Sequence, residues 1–238
     1  MRFRYKPWAL PEIEASPFVC TNPEEYKNNW SSFFYNPELP LGLELGCGKG
    51  RFLKELSQSR PDYNYLGIDI EVLAVAKANR LIAPLEPKNA RLLNYDISNI
   101  YDYFAENEAS EIFINFPNPW PKTRHNKRRL THPRQLIQYR KILKDYGEIW
   151  FKTDDQELYE KSLEYFELMN FKILNSTENL VTDSNQDPRS ILTEYEERWR
   201  NDGINIKAIY VQKLPGNEEE LAEIARDYKD ERDPKFRD

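Results

Sequence analysis

From Pro40 onward the chain alternates two kinds of segment. Short apolar runs, "LGLELG" (41–46), "YNYLGID" (63–69), "ARLLNYD" (90–96), "EIFINF" (111–116) and "GEIWFKTD" (147–154), read as strands. Between them apolar side chains recur at helical spacing: Phe52, Leu53 and Leu56; Val72, Val75 and Ala76; Leu136, Tyr139 and Leu143; Tyr159, Leu163 and Phe166. Strands alternating with amphipathic helices predict an α/β domain, a mostly parallel sheet with helices on both faces. Pro133 suits the first turn of the third helix, where a missing N–H costs nothing.

After "FKILNS" (171–176) the rhythm changes. A polar loop, "ENLVTDSNQDPRS" (178–190), leads to a short helix closed by Gly203 and a final strand, "INIKAIYVQK" (204–213), expected to run antiparallel. The first forty residues hold six of the 16 prolines and keep no period, which suggests an irregular basic arm laid over the domain. The tail from Pro215 has nine acids against five bases, and its "NEEE" is a plausible helix start. The expected division is thus an arm (1–40), one Rossmann-like domain (41–214) and an acidic, solvated helix or tail (215–238).

A chain of 238 residues with 15 Tyr, 12 Phe and 5 Trp has the apolar surface for one sizeable core. The opening "MRFRYKPWAL" lacks the apolar centre of a signal peptide, and no run approaches the ~18 apolar residues of a membrane span, so the cytoplasm is expected and a membrane partner is not. Two cysteines and two histidines do not make up a usual zinc ligand set, so no metal is expected.

Charge changes the picture through its distribution. The formal net charge is −6, yet residues 115–144 hold nine Lys or Arg, both histidines and no acid, leaving −15 on the remainder. A basic face on an acidic body is the footprint of a polyanion binder.

Chemistry gathers at the predicted strand ends. "LELGCGKGRF" puts Gly46, Gly48 and Gly50 where the first strand turns into a helix, so that the backbone can approach a ligand closely. A dinucleotide fingerprint fails, because Arg51 and Leu53 stand where its third glycine belongs; another nucleoside ligand is indicated. Asp69 ends the second strand, where a carboxylate can accept from ribose hydroxyls, and Asp96 ends the third. With Glu44 these acids would converge on one crevice outside the carboxyl ends of the strands. Three carboxylates suit a cationic cofactor, and S-adenosylmethionine carries an amino group and a sulfonium. At the end of the fourth strand "FPNPWP" is a proline-stiffened turn, followed by Lys122, Arg124, Lys127, Arg128 and Arg129 in a basic loop.

These segments together resemble the bacterial tRNA (guanine-N7)-methyltransferase family. The resemblance rests on "ELGCGKG", "YLGIDI", "NFPNPWPKTRHNKRRL", "WFKTDD" and "TEYEERW", in that order from Glu44 to Trp199, with a similar basic start "RFRYKPWA". It implies that S-adenosylmethionine is held by Glu44, Asp69, Asp96 and the residue at 118, above the turn of Gly46 and Gly48. It implies tRNA contacts at Lys122, Asp154, Thr193 and Glu196, and methylation of a guanosine N7 in the variable loop. One departure stands out: the family reads Asp-Pro-Trp-Pro-Lys with the Asp as its active-site residue, and here that residue is Asn118.

Two other readings remain open on the sequence. An Asn-Pro-aromatic turn also serves methylation of exocyclic amines, although there the aromatic follows two prolines and here Trp120 precedes Pro121. A tRNA-binding protein of the same fold, its catalysis weakened by Asn118, is the other.

Overall fold

In the computed structural model the described residues are 6–180 and 191–229. Arg2, Arg4, the loop 181–190 and the last residues of the tail lie outside them. The sheet has eight strands: β1 (Val19–Cys20), β2 (Leu41–Leu45), β3 (Asn64–Asp69), β4 (Ala90–Asn94), β5 (Ala109–Asn115), β6 (Leu143–Thr153), β7 (Phe171–Thr177) and β8 (Lys207–Lys213). Their order is β1-β4-β3-β2-β5-β6-β8-β7. From β1 to β6 all pairs are parallel, and β8 is antiparallel to both β6 and β7. This is the expected Rossmann-like architecture, and each of the five apolar runs from 41 to 154 falls on a strand.

The helices are α1 (Ala9–Glu14), α2 (Arg51–Ser59), α3 (Val72–Ile82), α4 (Pro133–Ile142), α5 (Gln156–Leu168), α6 (Glu194–Asn201) and α7 (Glu218–Asp227). Alternation along the strands feeds two cores. Leu43, Leu45, Ile112 and Ile114 pack with Leu136, Tyr139 and Phe166 of α4 and α5. Tyr65 and Phe113 point the other way, to Phe52, Leu53, Leu56 and Val75 of α2 and α3. A strand apolar on both faces must be covered on both, which is why these runs are continuous rather than alternating.

Two details differ from the pattern. Leu143 opens β6 instead of closing the third helical stripe; α4 ends at Ile142, and both side chains are buried in the first core. The segment 218–227, expected to be solvated, is docked: Leu221 and Ala225 are buried in the first core. Its anchor is Arg140, fully buried on α4, whose Nε donates to Glu218 at 3.1 Å and whose Nη2 donates to the Leu214 carbonyl at 2.9 Å. A buried guanidinium needs a carboxylate, and the first residue of α7 supplies it.

The N-terminal arm is also tied down. The Trp30 indole is buried, stacks on Phe104 at 5.0 Å, and donates to the Tyr103 carbonyl at 2.9 Å. No described helix is long and apolar enough to cross a membrane.

Candidate active site

The carboxyl ends of the adjacent parallel strands β2, β3, β4 and β5 lie along one edge of the sheet. Between β2 and α2 the backbone turns through Gly46 (φ +83°) and Gly48 (φ +55°), where a Cβ would meet nothing within 4 Å. Positive φ makes glycine the low-cost residue at both positions, and the open space above them leaves room for a ligand to touch the backbone. Gly50 has another duty, since a Cβ there would lie 2.8 Å from that of Ala78 on α3.

Asp69 closes the turn from the neighbouring strand. Its Oδ2 accepts from the Gly48 N–H and its Oδ1 from the Glu71 N–H, each at 2.9 Å. Burial pushes its pKa up, and these two N–H groups oppose that shift. Asp96, exposed at the end of β4, is partly used as a cap: Oδ1 accepts from the Ser98 N–H at 2.8 Å and from the Ser98 hydroxyl. Ile70, 58% exposed, and Tyr95, 36% exposed, stand on the rim beside these two carboxylates.

Glu44 lies deepest. It is 2% exposed, its Oε1 accepts from Asn115 Nδ2 at 3.3 Å, and its Oε2 is buried with no hydrogen-bond partner among the described residues. Burial raises its pKa to about 8, against the Asn115 bond, which lowers it. An orphaned buried carboxylate oxygen below a glycine turn calls for a donor or a cation.

The turn after β5 is strained and braced. Phe116 and Trp120 both have left-handed φ, +50° and +46°, a conformation costing about 1–3 kcal/mol for a bulky residue. Asn118 between them is exposed, and its Oδ1 accepts from the Trp120 N–H at 3.1 Å. The brace is Arg129: Nε donates to the Pro119 carbonyl at 2.8 Å, and Nη2 to the Trp120 carbonyl at 3.3 Å and to Glu157 on α5 at 2.6 Å.

Arg129 is 1% exposed, which corrects its expected place among the phosphate-binding residues. The cause is local geometry. Residues 123–128 form a 3₁₀ turn, in which side chains three apart eclipse one another. Asn126 and Arg129 take the buried edge; Arg124 and Lys127 share an exposed one; His125 and Arg128 share the third, against Trp120. Lys122, Arg124, Lys127 and Arg128 therefore remain as exposed base after the Asn118 turn.

Two more expected contacts are internal. Thr193 is the N-cap of α6, its hydroxyl accepting from the Glu196 N–H at 3.0 Å. Glu196 is 0% exposed, accepting from Lys152 Nζ at 3.0 Å and from Arg200 Nη2 at 2.7 Å. Both fix α6 in place. Asp154 is half-buried at the end of β6, and its carbonyl accepts from Lys207. The pairing of Lys152 beside Asn115 joins this corner to Glu44. Asn115, Arg129 and Lys152 as supports have no signal in the sequence by type alone, although the three-residue period of the basic loop holds a clue to Arg129.

Among the described residues no group of three or more His, Cys, Asp or Glu could hold a metal ion. A mostly parallel sheet of this order, with a glycine turn and carboxylates at its carboxyl edge, is Rossmann-like, and with the family match described next it marks a methyltransferase that uses S-adenosylmethionine.

Comparison with known proteins narrows this class. A family described as "Putative methyltransferase" matches residues 38–209. The tRNA (guanine-N(7)-)-methyltransferase of Clostridium perfringens (strain SM101 / Type A) is 48% identical over 221 residues, 90% of this chain and 100% of that protein. That of Acetivibrio thermocellus is 45% identical over 220 residues, again 90% and 100%. Among solved structures, a 30S ribosomal A1408 methyltransferase from an uncultured bacterium is alike in fold alone: TM-score 0.55, 15% identity, 82% of this chain and 95% of that one. The chain belongs to the tRNA (guanine-N7)-methyltransferase family.

Proposed function

We propose that this protein methylates N7 of a guanosine in the variable loop of tRNA, working in the cytoplasm. What supports the reading is the placement of two features at the ends of the adjacent strands β2 and β5: an orphaned Glu44 oxygen before the glycine turn, and four exposed cations after the Asn118 turn. Relatives at 45–48% identity that bear this activity in their names support it, and neither alternative from the sequence gains comparable support.

When bound, S-adenosylmethionine supplies an electrophilic methyl on a sulfonium. Glu44 and Asp96 would face its cationic groups, Asp69 its ribose hydroxyls, and the backbone at Gly46 and Gly48 would lie against it. Guanine N7 has an in-plane lone pair and no proton, so no residue has to act as a base. The work left to the protein is alignment, which can lower a barrier by up to ~7–11 kcal/mol. Asn118 stands at the turn that would meet the target base, with its side-chain oxygen accepting from the Trp120 N–H. Lys122, Arg124, Lys127 and Arg128 would hold backbone phosphates. Guanine N7 faces the deep, narrow major groove of A-form RNA, so a base offered by a loop and recognised by shape fits this arrangement.

The test is transfer of label from methyl-labelled S-adenosylmethionine to unmodified tRNA, followed by digestion to nucleosides. The label is expected in 7-methylguanosine. Label in an N-methylated exocyclic amine would move the chemistry to another atom, and tRNA retention without label would leave only a binding protein.

A further inference from the structure

A cavity of about 640 Å³ lies at the opposite edge of the sheet from the glycine turn, where β3 and β4 begin. Asn64, the first residue of β3, is on its wall; Asp69, the last, is about 16 Å away at the carboxyl edge. The volume is that of a small-molecule site, and the methylation chemistry does not use it.

Three features of the wall define what would fit. Asn64 is 1% exposed; its Nδ2 donates to the Asn36 carbonyl at 2.8 Å, while its Oδ1 is buried with no hydrogen-bond partner among the described residues. A buried acceptor in this state calls for an N–H or O–H donor. Lys54 and Lys88 against the one acid Glu86 make the lining net positive, which suits an anion. Leu39, Leu85 and Pro87 add apolar surface, and Tyr35, 72% exposed, presents a ring with the Lys88 ammonium over it at 4.8 Å. The Tyr35 N–H donates to the Lys88 carbonyl at 3.3 Å, which ties the arm to the connection between α3 and β4 and holds two sides of the cavity together.

We propose that this cavity binds a nucleotide, at a site separate from that of the methyl donor. A base has flat apolar faces and N–H donors in its plane, and a phosphate matches the two lysines. A fatty acid would supply the anion but no N–H for Asn64; an unphosphorylated nucleoside would supply the N–H but no anion. A free nucleotide and a nucleotide of an RNA chain carry the same chemistry.

The experiment titrates each of the four nucleoside monophosphates into protein saturated with S-adenosylhomocysteine, which fills the methyl-donor site, and reads binding by calorimetry. At least one is expected to bind, with its unphosphorylated nucleoside about tenfold weaker. Replacing Asn64 would also release the Asn36 carbonyl and disturb the fold, so the variants are made nearer the surface. Lys54→Gln combined with Lys88→Gln is expected to remove the preference for the phosphate. Leu85→Trp is expected to fill part of the cavity and weaken binding about tenfold, with Tm close to that of wild type. Displacement of the bound nucleotide by added tRNA would identify an RNA chain as its source, and retention a free nucleotide; either result supports the site. No binding by any of the four, loss of binding on saturation with S-adenosylhomocysteine, equal affinity for nucleoside and nucleotide, or wild-type binding in Leu85→Trp would overturn it.

Discussion

The Arg129 guanidinium donates to the Pro119 carbonyl at 2.8 Å, ten residues back along the chain. With its bonds to the Trp120 carbonyl and to Glu157, it ties the strained turn that carries Asn118 to helix α5. A residue counted by its charge as a phosphate ligand is in fact buried as the strut of that turn.

Arg129→Ala should therefore injure catalysis more than binding. A misplacement of about 1 Å can cost on the order of a hundredfold in rate. The expected result is a drop of that order in kcat with tRNA Kd nearly unchanged, accompanied by a lower Tm. A large rise in Kd with kcat intact would return Arg129 to the RNA surface.

The exposed cations should behave in the opposite way. Replacing Lys122, Arg124, Lys127 and Arg128 by Ala should weaken tRNA binding. For every phosphate no longer neutralised, the slope of log K against log salt should flatten by roughly 0.7–0.9. Binding measured at several salt concentrations checks this; an unchanged slope would show the loop to be only a solvated face.

Glu44 gives a pH prediction with a definite sign. Its folded-state pKa, raised by burial to about 8, lies above the ordinary value of 4.5. The folded state therefore holds the proton more tightly, and this contribution is complete below about pH 4.5 and lost as pH rises through about 8. Without cofactor, wild type should lose up to about 5 kcal/mol across this window from this group. Glu44→Gln, which stays neutral, should be more stable than wild type at pH 8 and close to it at pH 5. Denaturant unfolding at the two pH values reads the difference, and equal gaps would refute the account of Glu44.

Much of this is legible in the chain. The five runs from 41 to 154 are strands because burial on both faces demands continuous apolar sequence, and that demand is local. The glycine turn and Asp69 are readable because the backbone conformation and the strand end fix them. What stays hidden is the fate of charged residues, since burial of a charge depends on a partner far along the chain. Arg129 needs Glu157, Arg140 needs Glu218, and Lys152 needs Glu196, and none of these pairs has a sequence signature. Thr193 and Glu196 carry the family resemblance, yet their side chains are spent on the cap and core of α6.

Asn118 is the position at which the chain departs from the pattern implied by the resemblance. Asp at this position keeps an oxygen for the Trp120 N–H and adds a charged acceptor toward guanine N1 and N2. A charged hydrogen bond is worth ~1.5–3 kcal/mol. Asn118→Asp should accordingly leave kcat/KM equal or raise it, by up to about a hundredfold. A large fall would show that the amide N–H groups of Asn118 carry the contact.

The central claim is methylation at N7, and one measurement reads that atom directly. After incubation with S-adenosylmethionine, unmodified tRNA is treated with borohydride and aniline, which cut the strand at 7-methylguanosine. The predicted result is a single new cut, in the variable loop. Methyl label on the tRNA with no cut would contradict it.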